Sequence, residues 1–291
     1  MWRHGLAQAL RLTFGIFGAA LLAVAVLSLA IADTHAPFVG ALVPRLHDAL
    51  QFNFGVSRAS GLPISVELAN RLPVTFELIG LGAVVTFVLG LPLGLLLGAS
   101  RTLRATAPLL HLPAAVPLFC IGFALIWVAK EWHWPLAVQG YLPLSALGDT
   151  GGAWLRAFRA IALPVLTVGL GGAGAVELAL RRALAQSIDE PYRRGLRRFG
   201  LPQFEIDLHY VAPRVAAEFA RRLGDIVLAL LGAAIVVESL FQWPGVAGFF
   251  LKAVALHDWS ASAPVLFLLG AVKLLADFLG QLAARALTVP P

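Results

Sequence analysis

Cysteine and lysine are almost absent from this chain. Among its 291 residues there is one cysteine, Cys120, which excludes an intrachain disulfide and a metal site built from several cysteines. Lysine occurs only at Lys130, Lys252 and Lys273, and no G-x-x-x-x-G-K-[ST] sequence is present. The chain therefore cannot bind ATP through a P-loop.

The short motifs of two large hydrolase classes are also missing. Neither H-E-x-x-H nor G-x-S-x-G occurs, and these motifs supply the zinc ligands of metalloproteases and the serine nucleophile of α/β-hydrolases. The 7 histidines are scattered, without the paired spacing of metal ligands. We therefore expect no catalytic residue, no bound metal and no cofactor of its own in this chain.

Charge is scarce, whereas apolar residues are abundant. Only 13% of the residues are charged and 59% are hydrophobic, while about a quarter of a typical soluble domain is charged. A bilayer can absorb this much apolar surface and a globular core cannot. The net charge of +6 comes without a basic and aromatic stripe, so we attribute it to membrane topology and expect no nucleic-acid partner.

Long apolar runs predict an all-α, polytopic membrane protein. Crossing the hydrocarbon layer takes about 20 mostly apolar residues. The first run resembles a signal peptide at Ala30-Ile31-Ala32, but it is long for one, and we interpret it as a retained span. Six predicted spans result: Leu12–Ala32, Val74–Ser100, Leu109–Ala129, Ile161–Leu180, Leu223–Leu240 and Ala263–Leu287.

The distribution of lysine and arginine predicts the orientation. With the N-terminus inside, the inner segments hold twice as many of these residues as the outer segments. The positive-inside rule then places both termini in the cytoplasm. We divide the chain into an anchor helix (1–33), a short extracytoplasmic segment (34–72) and a five-helix membrane domain (73–287) with a cytoplasmic loop at 181–222.

Small residues and isolated charges mark several spans. Gly90, Gly94 and Gly98 form a stripe that allows close helix packing, or a surface that slides or lines a pathway. Lys273 and Asp277 are four residues apart on one helical face and can form either a structural ion pair or the wall of a polar cavity. Two other acids have simpler explanations. Glu177 can pair with Arg181, and Glu77 can be solvated near the outer surface.

The arginine-rich loop predicts a short amphipathic helix at the inner surface. It begins within Ser187–Pro191, since proline suits the first turn of a helix, and it ends at Gly200 in a left-handed cap. Its apolar face consists of Tyr192, Leu196 and Phe199, and the remaining positions are Arg193, Arg194, Arg197 and Arg198. Such a helix can fit a groove on a partner protein or rest on anionic lipid.

Three stretches resemble one family. Glu190 to Leu201, including Tyr192, Gly195 and Gly200, resembles the coupling loop of ABC-importer permeases of the dipeptide, oligopeptide and nickel family, and Pro213 resembles the proline that ends that loop. The run around Glu238 followed by Trp243-Pro244-Gly245 is similar to a second family motif. Arg71 to Leu78, which includes Glu77, is similar to the start of the family's membrane domain. The outer segment, from Asp33 onward, is shorter than is usual in the family.

The resemblance implies a permease subunit of a binding-protein-dependent importer, with six spans and no ATPase site. It implies three kinds of partner besides lipid: a related permease subunit, two ATPase subunits that bind ATP and magnesium, and an external solute-binding protein. The implied substrate is a peptide or similar small polar solute. Two alternatives stay open: a degenerate subunit that scaffolds or senses, and an intramembrane enzyme using Glu177, Lys273 and Asp277.

Overall fold

The structure is a computed structural model that describes residues 51, 53–58, 60–99, 116–134, 141, 152–188, 195, 197, 199–200 and 202–288. The predicted first span, Leu12–Ala32, lies outside these residues, as does the beginning of the third.

Every regular element in these residues is a helix, apart from one isolated bridge between Val56 and Pro63. The all-α prediction is therefore confirmed for the described part. The long elements are α1 (Ile64–Ala99), α2 (Leu118–Glu131), α3 (Ala153–Ile188), α6 (Leu223–Leu240), α7 (Val246–Ala255) and α8 (Trp259–Thr288). Between α3 and α6 lie α4 (Gln203–Glu205), a π-helical segment (Ile206–Val211) and α5 (Ala212–Ala220).

Four of these helices are long and apolar enough to cross a membrane. They are Ile64–Gly98, Leu155–Gln186, Leu223–Leu240 and Trp259–Leu287, and each overlaps a predicted span. The described part of another predicted span, Leu109–Ala129, is the 14-residue helix α2. The polytopic character of the chain is thus confirmed for four spans.

Two helices extend beyond the limits predicted for their spans. α1 begins at Ile64 instead of Val74, and α3 runs from Ala153 to Ile188 instead of Ile161 to Leu180. Each has 36 residues, which gives a length of about 54 Å, against roughly 30 Å of hydrocarbon. Hydropathy locates only the apolar part, while the helical hydrogen bonds continue through polar residues. Ser187 and Ile188, the first two residues of the stretch predicted to contain the start of the loop helix, lie in the last turn of α3. The rest of that stretch lies outside the described residues.

α1 and α3 pack in parallel along the predicted glycine stripe. A Cβ atom added to Gly90 would lie 2.7 Å from Cβ of Val176, and one added to Gly94 would lie 2.9 Å from Cβ of Leu180. The same register continues at Gly98, which contacts Leu184. The stripe therefore serves close packing in this structure, because the absence of side chains lets the two backbones approach.

The remaining helices complete a bundle with two distinct ends. α2 runs antiparallel to α3, since Leu118 contacts Gly171 while Gly122, one turn later, contacts Thr167 and also Leu240 of α6. One end of the bundle contains the last turn of α6, the helix α7 and the beginnings of α1 and α8; we call it the Trp243 end. At the other, called the loop end, α1, α3 and α8 stop, and α4, the π-helical segment and α5 lie between the end of α3 and the start of α6.

Candidate functional site

Glu238 joins three helices at the Trp243 end. Its side chain, in the last turn of α6, is buried. The carboxylate accepts hydrogen bonds from Oγ1 of Thr75 on α1 (2.6 Å) and from the backbone N–H of Gly248 on α7 (2.7 Å). The Thr75 hydroxyl in turn accepts one from the N–H of Val246 (2.8 Å). Hydrogen bonds to a buried carboxylate are among the stronger ones, so the network fixes α1, α6 and α7 together.

The predicted Trp-Pro-Gly turn follows directly. The N–H of Trp243 donates to the backbone oxygen of Glu238 (2.8 Å), and the indole packs edge-on against Tyr141, with ring centroids 4.9 Å apart. Gly245 has no room for a side chain, because a Cβ there would collide with the Glu238 carboxylate. The turn is confirmed, and its glycine is explained by the acid seven positions earlier in the chain.

Glu77 has a partner that the sequence did not indicate. The Tyr141 hydroxyl donates a 2.9 Å hydrogen bond to Oε2 of Glu77. Burial of the ring, and then the hydrogen bond and charge of Glu77, raise the pKa of Tyr141 to about 12. The hydroxyl therefore stays protonated and keeps donating across the physiological pH range, which adds a second link from α1 to the Trp243 turn.

A buried aspartate holds the segment that precedes α1 in place. Asp258, in the turn before α8, is fully buried. Its carboxylate accepts from Oγ of Ser57 (3.0 Å), from the N–H of Arg58 (2.6 Å) and from the N–H of Ala261 in the first turn of α8 (3.3 Å). This capping arrangement attaches the chain that precedes α1 to the start of α8. This contact was not predicted from the sequence. The one local signal for it is an aspartate, Asp258, at the N-cap position of an apolar helix.

At the loop end, the predicted stop at Gly200 is confirmed. Gly200 has a φ of +80°, the left-handed conformation that favours glycine. The N–H of Phe199 donates to the carbonyl of Gly195, and that of Gly200 to Arg197, as in a closing helical turn. The other residues predicted for this loop lie outside the described part: Glu190, Tyr192, Arg193, Arg194, Leu196 and Arg198.

Apolar side chains project from the segment around and after Gly200. The exposed fractions are 86% for Phe199, 72% for Phe204 and 50% for Leu208. We call these three residues the loop-end apolar surface. Phe204 and Leu208 were missed, because they lie beyond the helix that the arginine pattern predicted.

Pro213 stands in the first turn of α5, so the helix continues past the position where the loop was expected to end. The turn before it is a π-helix, in which the N–H of Ala212 donates to the carbonyl of Asp207. Proline has no N–H for the carbonyl four residues earlier, and its ring crowds that group. A wider turn relieves this crowding, and π-turns are often found at functional sites.

Both predicted ion pairs are present. Lys273 pairs with Asp277 on α8, and Nε of Arg181 lies 3.3 Å from Oε1 of Glu177 on α3. Each pair lies within one helix. In the described residues, no three metal-ligating side chains converge.

Residues 90–289 match the family described as "Binding-protein-dependent transport system inner membrane component". The chain is 25% identical to the putrescine export system permease protein SapB of Escherichia coli K12, over 88% of this chain and 89% of the relative. It is 28% identical to the probable D,D-dipeptide transport system permease protein DdpB of the same strain (74% and 68%). It is 27% identical to the oligopeptide transport system permease protein OppB of Mycobacterium bovis (82% and 76%). With several apolar helices and a match over most of its length, this chain belongs to the family of binding-protein-dependent transport system inner membrane components and is a multi-pass permease subunit of the bacterial inner membrane.

Proposed function

We propose that the chain is one of two related permease subunits of an ABC importer, and that the pair encloses the pathway of a peptide or similar small polar solute. Two of the relatives above are named for dipeptide or oligopeptide transport, which supports this substrate class. The family resemblance of the loop supports import. The arginine distribution supports six spans with both termini in the cytoplasm, and the loop end is then the cytoplasmic end.

The energy source is external to this chain. No P-loop occurs in its sequence, so we assign ATP and magnesium to two ATPase subunits on the cytoplasmic side. An extracytoplasmic solute-binding protein delivers substrate at the Trp243 end. There the attachment of the outer segment through Asp258 offers a fixed surface.

The loop-end apolar surface is the observation that carries this proposal. Phe199 precedes Gly200, Phe204 lies in α4 and Leu208 in the π-helical segment, and all three side chains are exposed, as is Arg197. Such surfaces mark sites of protein contact, and apolar knobs on a short helix fit a groove on a partner. We therefore place the ATPase contact on Phe199, Phe204 and Leu208.

The resulting mechanism is a two-state switch. ATP binding closes the ATPase subunits, and their motion passes through the docked loop to the membrane helices, which open to one side or the other. Nucleotide shifts this equilibrium only through its different affinity for the two states. Lys273 and Asp277, with side chains 31% and 26% exposed, are our candidates for charged groups near the pathway, because such groups avoid lipid.

Substitution of Gly200 tests the proposal. Leucine at this position is strained at a φ of +80°, although nothing occupies the space around it, and it should distort the docking loop. We expect the ATPase subunits no longer to co-purify and uptake to be lost. The matched control for ATPase co-purification is Gly61→Leu, because Gly61 has a φ of +69°, lies in equally open space and stands at the Trp243 end, away from the proposed ATPase contact. If Gly200→Leu retains ATPase subunits and uptake, the loop does not couple the two.

One further measurement separates transport from a scaffolding or sensing role. The complex is reconstituted with its binding protein, and ATP hydrolysis is measured with and without substrate. Stimulation by substrate is expected of the importer. A complex that assembles but never responds to substrate would favour the scaffold.

A further inference from the structure

The turn between α5 and α6 fits closely against α8. Gly224, in the first turn of α6, lies against the carboxylate of Asp277: a Cβ at this glycine would be 3.2 Å from Oδ2 and would overlap the rest of the group. Gly280, on α8, is the reciprocal case. A Cβ there would overlap the carbonyl oxygen of Ala220 and lie 3.2 Å from Cβ of Leu223. Gly224 of α6 thus receives a protruding group of α8, and Gly280 of α8 receives the last carbonyl group of α5.

The contact continues along α5. Ala217, Ala220 and Ala284 are buried together, with exposed fractions of 1%, 7% and 1%. On α8, Asp277, Gly280 and Ala284 contact α5 and the turn that follows it. Because closely packed surfaces of this kind resist sliding, α8 must follow the turn when the turn moves.

The surroundings of Asp277 explain why a charged side chain is tolerated at this contact. Asp277 places its carboxylate beside the N-terminal turn of α6, where the helix dipole favours a negative charge. Lys273, one turn earlier on α8, pairs with the same carboxylate. An ionised pair on an apolar helix is unfavourable unless it has such partners. Asp225, the neighbouring acid on α6, is exposed and offers a comparison.

α5 connects this contact to the loop. It follows directly on the π-helical segment, which contains Leu208 of the loop-end apolar surface. It also packs on α3, where Val215 is buried with Leu180 and Ala183. A displacement of the loop therefore reaches α8 through α5 and the Ala220–Gly224 turn.

We infer that Asp277, held by Lys273 against Gly224, is a positioning residue that makes α8 move with the coupling loop. The inference rests on the proposed function, since it assigns a route to the motion that ATPase closure produces. It adds the identity of the helix that moves and of the contact that moves it. The contact passes motion from loop to helix and takes no part in ATPase docking.

Paired glycine substitutions test the inference in the assembled complex. Gly224→Ala inserts a methyl group into the Asp277 contact, whereas Gly232→Ala, on the same helix, meets nothing within 4 Å. For Gly224→Ala we expect ATPase subunits to co-purify normally, substrate to stimulate hydrolysis no longer, and uptake to fall by roughly tenfold, near the upper end of single-substitution effects on coupling between sites. Gly232→Ala should behave as the unmodified chain.

An exchange of charges separates positioning from simple ion pairing. Lys273→Asp combined with Asp277→Lys keeps an ion pair but places a cation at the N-terminus of α6. In this exchanged variant we expect substrate not to stimulate ATP hydrolysis and uptake to stay low. Asp225→Asn should keep both stimulation and uptake. Normal uptake by the exchanged variant would overturn the role of Asp277. Should Gly224→Ala fail to assemble, the exchanged variant decides alone.

The readouts distinguish the possible failures. A purely structural defect lowers hydrolysis, its stimulation by substrate and uptake in proportion to the amount of folded complex, and this result would refute the inference. Identical behaviour of Gly224→Ala and Gly232→Ala would refute it as well. If ATPase subunits fail to co-purify even with the unmodified chain, the proposed function itself is wrong.

Discussion

Two glycines of α1 provide a quantitative test of how α1 and α3 pack. Gly80 has no atom within 4 Å of the position where a Cβ would stand. Gly90 is in the opposite situation, because its added Cβ would lie 2.7 Å from Cβ of Val176 and 2.8 Å from the carbonyl oxygen of Ala173. Both are interior residues of the same helix, so alanine changes their helix propensity equally and their packing differently.

The two substitutions should therefore have opposite signs. Replacing a helical glycine by alanine is favourable by about 0.5–1 kcal/mol, and this is the whole expected effect at Gly80. At Gly90 the methyl group forces apart atoms that prefer separations of about 3.5–4 Å, and overpacking of this kind costs roughly 1–3 kcal/mol. We expect Gly90→Ala to be destabilised by a net amount of about 1–2 kcal/mol once the propensity gain is subtracted.

Thermal unfolding of the purified protein in detergent measures the difference. Each kcal/mol changes the Tm by about 2–4 °C for chains of 150–250 residues, so the two variants should differ by several degrees. The close approach continues at Gly94 and Gly98, and separation at Gly90 weakens those contacts as well. If Gly90→Ala is as stable as Gly80→Ala, the glycine stripe does not hold the two helices in close contact.

Two further predictions concern the Trp243 end. Glu238→Leu leaves the partly buried N–H of Gly248 and the buried Thr75 hydroxyl without their acceptor. At about 1–3 kcal/mol for a buried unsatisfied group, the Tm should fall clearly, whereas Ser239→Ala, at an exposed neighbour, should not change it. An unchanged Tm for Glu238→Leu would contradict the network. For Tyr141, the pKa raised to about 12 means that the folded protein favours the protonated hydroxyl. The stabilisation is complete below about pH 10, the ordinary pKa of tyrosine, and is lost as the pH rises through 12. The tyrosinate absorbance that disappears in Tyr141→Phe should titrate near the higher value, and titration near 10 would contradict the burial of this ring.

Features encoded by neighbouring residues could be predicted from the sequence. Apolar runs located the four described membrane helices because their length and composition are local properties. Gly200 was correctly assigned as a helix end, since proline follows it two residues later and only glycine adopts its φ of +80° readily. The pairing of Lys273 with Asp277 follows from helical periodicity alone.

The limits of α1 and α3 could not be read in the same way. Hydropathy records where a helix meets lipid, but Glu67 and Arg71 continue α1 outside the apolar part and pair with each other at 2.6 Å. The exposed side chain of Leu208 belongs to the π-helical segment before Pro213, and that of Phe204 to α4, which precedes this segment. The arginine pattern before Gly200 does not indicate either element.

Contacts between distant residues were decided only by the tertiary structure. Glu238 meets Thr75 across 163 positions, and Asp258 meets Ser57 across 201. A glycine in the sequence signals that a side chain is absent, but it does not name the group that fills the space. By itself the sequence determined that this chain crosses a membrane as helices and contains no P-loop for ATP. The packing of those helices decided that Gly224 receives a carboxylate from α8, because which surfaces meet depends on how the helices are arranged in space.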